Sequence, residues 1–481
     1  MKKKGLILCL VLILTMITSA VYAEGEIIVR IDSTNVEFND EIGRPFIDEN
    51  NRTLVPFRAA MEAYGAEVEW DDATKTAKAI KEEITIEIPV GENHIVKNEE
   101  IIESDTSAII KDGRTYLPIR NVIEAFGSEV QWDGNLKTVV ITTEPIDGKA
   151  KIMDAYEKSY AWKNYDMCML INMDMTIPDE TGSMQKMDIQ MDMDATALMN
   201  PMKMKVKANV ILNVGQQELL QPVMEMYMVE DGSKFITYIN SADPATGQLK
   251  WVKQELEDEG FADLLDPDNA EIKALNEQSI KEVKYFGTYI EDEINLEKYE
   301  VVISFDGFDE IMKKSFSSVS DSISDEEMQM SLDLFSNLDD MKYILYIDQA
   351  TGEFVKMEMD LSSILNSIME QMGDLIPAQV PEGLSEEEVS NGLIELIKGM
   401  NIKMDMVAKY LNINKAEDFE IPEEALNAIS MEEYQEEIKL NVEVLEEVED
   451  AEEVTDAEEV KDTEKVEEAD KEETANEVNE Q

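Results

Sequence analysis

Methionine is the most unusual chemical resource of this sequence, with 30 in the chain, and many alternate with charged or polar residues. Four stretches carry the pattern: MCMLINMDMTI (Met167 to Ile177), MDIQMDMDATA (Met187 to Ala197), MKMKVKANVILNV (Met202 to Val214) and MEMYMV (Met224 to Val229). In an extended chain successive side chains point to opposite faces, so period-two alternation gathers the thioethers on one side. Such a face has three uses. It can be an ordinary core, it can line a cavity for varied apolar ligands because methionine is flexible and polarizable, or it can hold Cu(I) as a set of soft donors. The alternation spreads the sulfurs along whole strands instead of focusing them, and no His or Cys cluster accompanies them. The candidate ligand-binding face is therefore Met167, Met169, Met173, Met175, Met187, Met191, Met193, Met224 and Met226, with copper binding as the minor alternative.

A second set of candidates lies in a sentence written twice. RTLVPFRAAMEAYGAEVEWD (Arg52 to Asp71) returns as RTYLPIRNVIEAFGSEVQWD (Arg114 to Asp133). Arg58 with Trp70, and Arg120 with Trp132, offer an indole face and a guanidinium of the kind that contacts a sugar or cell-wall polymer. The competing role is internal packing: the indoles would pin helix to hairpin, and each arginine would reach Glu62 or Glu124 one helical turn on.

Catalytic chemistry finds little support. The chain has a single histidine, His94, no Ser-His-Asp set, no glycine-rich phosphate loop and no zinc spacing. Asp266-Pro-Asp268-Asn269 lacks the glycine and the twelfth-position glutamate of a calcium loop. No catalytic residue, cofactor or metal site is assigned. A net charge of -64, from 106 acidic against 42 basic residues, repels nucleic acid and anionic membrane.

The elements that must position these residues follow from the same patterns. The first 23 residues have a basic start, an apolar run from Leu6 and Val21-Tyr22-Ala23 at the end, which predicts a cleaved signal peptide and a secreted or cell-surface protein. Cys9 falls within that run, so Cys168 alone remains and no internal disulfide forms; no later stretch is apolar enough to span a membrane as a helix. Residues 24–146 hold the duplicated unit of strand, helix and hairpin, with Pro56 and Pro118 in the first helical turn and Gly65 and Gly127 ending each helix. Residues 148–440 begin with a helix over Lys149 to Asn164 and continue as consecutive antiparallel strands. Helical pieces are predicted near Phe261 to Asn276, Asp309 to Leu338, Ile364 to Met372 and Ser385 to Met400. A hairpin turning at Asp348 to Gly352 and a late strand, IKMDMVAKYLNI, lie among them. Residues 441–481 hold nineteen acidic residues against three lysines and no aromatic, the composition of a disordered tail.

The doubled V/L-P-F/I-R, E-A-Y/F-G, V-x-W-D pattern resembles the copper amine oxidase N-terminal (stalk-like) domain, over about Ile27 to Thr143. That resemblance implies a fold and an exported location. It does not imply amine oxidation: Asn164-Tyr165-Asp166 matches the short quinone motif of the oxidase, but Ala161 stands where threonine is usual and one histidine cannot supply three copper ligands. The methionine-and-aspartate strands, WVKQEL and the hairpin YIDQATGEFVKMEMD resemble the Lol-type lipoprotein-carrier fold, a curved antiparallel half-barrel closed by helices. The lipidation cysteine of many relatives is missing.

The expected protein is thus α+β: a duplicated small strand-helix-hairpin unit, then a curved antiparallel β half-barrel with covering helices, then a disordered acidic tail. Its expected function is that of a non-enzymatic exported envelope protein of a Gram-positive-like bacterium, binding an apolar or lipid-like ligand. The alternative is a structural or adhesive protein held on a cell-wall polymer; the sequence leaves oligomeric state open.

Overall fold

The computed structural model describes residues 26–178, 184–214, 217–220, 223–232, 234–242, 249–257, 270–305, 338–375 and 400–437. The expected signal peptide, the acidic tail, the segment Asp266 to Asn269, most of the expected helix Asp309 to Leu338 and nearly all of that at Ser385 to Met400 lie outside these residues. The described chain is mostly strand with a few helices, an α+β fold.

The first part runs β1 (Ile28–Ile31), β2 (Thr34–Asn35), β3 (Phe46–Ile47), β4 (Thr53–Pro56), α1 (Phe57–Ala63), β5 (Glu67–Asp71), β6 (Thr76–Lys81), β7 (Ile84–Pro89), β8 (His94–Lys97) and β9 (Glu100–Glu103). It continues with β10 (Ile109–Lys111), β11 (Arg114–Pro118), α2 (Ile119–Ala125), β12 (Glu129–Asp133) and β13 (Thr138–Thr142). After α3 (Gly148–Tyr160) come β14 (Asn164–Pro178), β15 (Met184–Met199), β16 (Met202–Val214), β17 (Gln217–Leu220), β18 (Met224–Asp231), β19 (Lys234–Ala242) and β20 (Leu249–Glu257). The described remainder is α4 (Ala270–Ser279), β21 (Ile280–Glu291), β22 (Ile294–Ile303), β23 (Met341–Asp348), β24 (Phe354–Asp360), α5 (Ser362–Leu375), β25 (Asn401–Leu411), α6 (Glu423–Leu426) and β26 (Ile429–Ser430). The helix expected to reach Asn164 stops at Tyr160, because Asn164 already pairs with Leu198 as the first residue of a strand. Pro56 and Pro118 stand one residue before their helices in extended conformation, not inside the first turn.

The described residues fall into two compact units. One comprises residues 26–159, 274–304 and 340–357; the other comprises the described parts of 160–273, 305–339 and 358–437.

In the first unit both RT-to-WD stretches form strand, seven-residue helix and strand, and each is followed by a further strand. Each helix ends the same way. Gly65 and Gly127 take φ of +84° and +96°, a conformation that costs a glycine little, and the next amides, Ala66 and Ser128, bond back to the Met61 and Ile123 carbonyls at 2.9 and 3.3 Å. The strands β4 and β11 pair antiparallel with Val55 opposite Leu117, so each flanking residue faces its counterpart's neighbour: Pro56 meets Tyr116 and Pro118 meets Leu54. β3 and β10 add to the two outer edges, giving the order β10-β11-β4-β3. The two hairpins then diverge. β5-β6 continues antiparallel into β7-β8-β9, whereas β13 accepts β1 in parallel, giving β12-β13-β1-β2. Val55, Met61, Leu117 and Ile123, all fully buried, belong to the common apolar core.

The same unit contains β21, β22, β23 and the start of β24, adjacent in that order, with α3 beside them. The register of β21 on β22 shifts between Tyr285 and Thr288, and Gly287 sits there with φ +85°, where a side chain would press on Val140 and Arg30. Beside it lies a buried ion pair. Lys298 donates to Asp133 Oδ2 at 2.7 Å, with the two side chains only 5% and 3% exposed. The Tyr289 hydroxyl donates to the same oxygen at 3.0 Å, and the backbone amides of Asn135 and Leu136 donate to Oδ1. The first copy's Asp71 makes the equivalent turn, accepting from Ala73 and Thr74 amides, but stays exposed.

In the second unit the strand order is β25-β14-β15-β16-β18-β19-β20-β26, with β17 on β16, and this curled sheet has the half-barrel form. Chain neighbours pair as hairpins, while β25 returns from far along the sequence to lie against β14. α5 attaches to β25 through Asn366, whose side-chain amide donates to the Ile402 carbonyl at 2.7 Å and accepts from the Ile402 amide at 3.0 Å.

Burial alone would raise the Asp133 carboxyl, but the Lys298 ammonium and the Tyr289 hydroxyl reverse this and hold it below the usual aspartate value. A depressed carboxylate adds stability above its unfolded value, about 3.9, that disappears as pH falls through the folded value. Asp133→Asn keeps the turn but strands the ammonium, and should cost about 3–5 kcal/mol in urea unfolding near neutral pH. Adding Lys298→Met should recover most of that loss, and both variants should lose the wild type's extra acid sensitivity below about pH 4.

Candidate functional site

The methionine face can be followed strand by strand through the pairing register, because residues directly opposite in a ladder share a face. One row reads Ala408, Met169, Met193, Ala208, Met224; the next reads Tyr410, Met167, Ala195, Val206, Met226. Toward the other end come Met406, Ile171, Met191, Val210, then Met404, Met173, Ile189, Leu212, then Ile402, Met175, Met187, Val214. All nine methionines selected from the sequence therefore lie on one face of one sheet. Met404 and Met406 join them from β25, and Met204 and Met228 from a further row. The alternation of IKMDM was legible in the sequence, but nothing local could show that this distant strand would lie beside Met173.

Packing on this face is uneven. Ala195, Ala197, Ala208 and Ala408 are buried, whereas the selected methionines are half-buried and Met224 is 41% exposed. Long thioethers beside methyl-sized neighbours leave relief that a flexible apolar molecule can fill. The reverse face is polar and wet: Lys409, Cys168, Asp194, Lys207 and Glu225 form one of its rows. At one end that face is covered by an aromatic cluster in which Tyr227 and Tyr238 pack with Ala425, Trp251 and Phe419. Asn164, Tyr165 and Asp166 begin β14, and Asp166 accepts from Thr196 and Asn412, so the quinone-like triplet is occupied by strand pairing. Among the described residues no group of three or more His, Cys, Asp or Glu is placed to hold a metal.

The tryptophan and arginine candidates sit in the first unit, in two cavities of about 860 and 640 Å3. Arg120 and Trp132 line the larger, Arg58 and Trp70 the smaller. Each arginine reaches the glutamate one turn on, Arg58 to Glu62 at 3.3 Å and Arg120 to Glu124 at 3.2 Å. Arg120 also donates to the Val130 carbonyl. The indoles differ: Trp132 packs against the apolar core, while Trp70 is 37% exposed, with Nε1 3.4 Å from Asp72. What the sequence did not reveal is that each cavity draws on both copies. Arg52 and Thr53 wall the Arg120 cavity, and Arg114 and Thr115 wall the Arg58 cavity.

Comparison with curated proteins finds no match. Among solved structures, the Mycobacterium tuberculosis lipoprotein LppX is 10% identical, over 56% of this chain and 97% of its own, with a TM-score of 0.26. LprF from Mycobacterium bovis is 10% identical over 57% and 97%, with a TM-score of 0.28. A DUF1329 family protein from Desulfovibrio piger is 7% identical over 57% and 96%, with a TM-score of 0.16. Residues 26–141 match the model of the copper amine oxidase N-terminal domain, and the doubled RT-to-WD sentence lies wholly within the matched stretch.

Proposed function

We propose that this is a non-enzymatic exported protein, in which a tandem stalk-like module at 24–146 carries a half-barrel module at 148–440 that holds an apolar or lipid-like ligand. The duplicated N-terminal unit serves as scaffold, the leader directs export and is cleaved, and the acidic tail stays on the exported form. The observation that carries the binding role is the methionine face itself: rows of half-buried thioethers in register, interleaved with buried alanines. A ligand methylene removed from water there gains about 0.8 kcal/mol, so an acyl chain needs no polar anchor to bind.

Native mass spectrometry of the protein purified from its own host, followed by solvent extraction, should find a bound apolar molecule. Recovery of a ligand-free protein that also takes up no fatty acid would refute the reading. Met169→Glu or Met193→Glu should weaken uptake at least about tenfold, since a carboxylate is costly to desolvate. Leucine at Met167, Met169, Met191 and Met193 should retain it, because the swap conserves volume. Cu(I) handling would show the opposite pattern, surviving lipid extraction and vanishing in the leucine variant.

Cys168 provides an internal control, because it lies on the reverse face. Burial, then the Asp194 carboxylate, raises its thiol above the ordinary value despite an exposed sulfur. Iodoacetamide should therefore react more slowly at neutral pH than with a free cysteine peptide. Asp194→Asn should speed the reaction, and the alkylated protein should still take up the apolar ligand.

A further inference from the structure

The two cavities of the first unit are built alike. The ladder between β4 and β11 is symmetric about the Val55 and Leu117 pair, which places Arg114 of one copy beside the other copy's Arg58, Glu62 and Trp70. The same operation places Arg52 beside Arg120, Glu124 and Trp132. Packing explains part of this set: the helical ion pairs hold Arg58 and Arg120, and Trp132 leans on the core. It does not explain why Trp70, which stands outside that core, remains an indole at an exposed cavity wall.

Each cavity combines an indole, two guanidiniums and three or more carboxylates within a volume suited to a small ligand. The charges are mixed and each arginine is already engaged, by a carboxylate or by backbone carbonyls, so neither cavity is an anion trap. Arg52 is held by Asp105, and Arg114 donates to the Asp40 and Glu41 carbonyls at 2.9 and 2.7 Å. Acids at Glu41, Glu69 and Asp72 around the Trp70 cavity, on a chain of net charge -64, oppose a polyanion. A neutral molecule with apolar ring faces and many hydroxyls satisfies both components, because the indole covers a ring face and the paired charges offer donors and acceptors together.

We propose that the two cavities are two-fold-related sites for a neutral glycan, each completed by an arginine from the opposite copy. This inference is independent of the methionine face. Because the sites are related by a local two-fold, they engage two glycan segments running in opposite directions, which gives avidity toward a glycan meshwork beyond that for a single strand.

The test is isothermal titration of the full chain with soluble N-acetylglucosamine oligosaccharides, beside affinity electrophoresis in a gel containing glycol chitin. Wild type should bind two equivalents, with an affinity insensitive to salt. Trp70→Ala should remove one equivalent, and Arg114→Ala should weaken that same site about tenfold or more while leaving its partner intact. Trp70→Phe, which keeps an aromatic face, should restore partial binding, and unchanged urea unfolding of Trp70→Ala would establish that its fold survives. Absence of saturable binding by the wild type would overturn the proposal. So would binding unaffected by Trp70→Ala, or binding only of a phosphate-bearing polymer with affinity that collapses as salt rises.

Discussion

A lysine and an aspartate that are both nearly out of water impose the hardest condition in the first unit. Desolvating either ion alone costs several kcal/mol, so Asp133 and Lys298 are tolerable only while they meet. Their meeting requires the turn after β12 and strand β22 to be held at hydrogen-bond distance. Much of the nearby structure serves that requirement. Two backbone amides and the Tyr289 hydroxyl use the remaining carboxylate lone pairs, the rings of Phe286, Tyr289 and Tyr346 surround the ammonium, and Arg30 lies over Tyr289 at 4.5 Å. Gly287 permits the bulge that brings β21 close to Val140. A residue pair distant in sequence thus ties the hairpin β21-β22 to the turn that follows β12.

The pair also marks where the copies stop being equivalent. Asp71 and Asp133 occupy the same place in the repeated sentence and make the same turn, and their backbone duties were readable from WDD and WDG. Only Asp133 meets Lys298, and no local signal in the second copy announces it. Short-range grammar was accurate for the same physical reason: Gly65 and Gly127 are each required by a left-handed helix end, and the tandem spacing carries it intact. The prolines were placed one residue too far into the helix, since strand pairing holds Pro56 and Pro118 extended. Pairing partners were the blind spot throughout. β1 takes up a parallel place beside β13 that antiparallel β7 holds beside β6, so one repeated hairpin ends in two different sheets.

For the methionine strands the balance is reversed. A period-two pattern fixes which side chains share a face without any knowledge of partners, because slipping the register by one residue would turn every thioether to water. The nine candidate methionines were therefore legible from alternation alone. Order across the sheet was legible only where neighbours in sequence are neighbours in space, from β14 through β20. β25 escaped because its place beside β14 depends on a return over a long connection, and with it Met404 and Met406 were missed.

These two parts of the molecule use burial in opposite ways, and the contrast bears on where binding can reside. Around Asp133 every polar atom is matched, so any incoming group would have to break a satisfied network before making contacts of its own. On the methionine face the rows are mostly Met, Ala, Ile, Leu and Val with Tyr410 at one end, and the thioethers are flexible and only half-buried. An apolar guest there displaces water and reorients thioethers without disturbing a hydrogen bond of the sheet, since the backbone ladder beneath is already complete from Met167 to Met175.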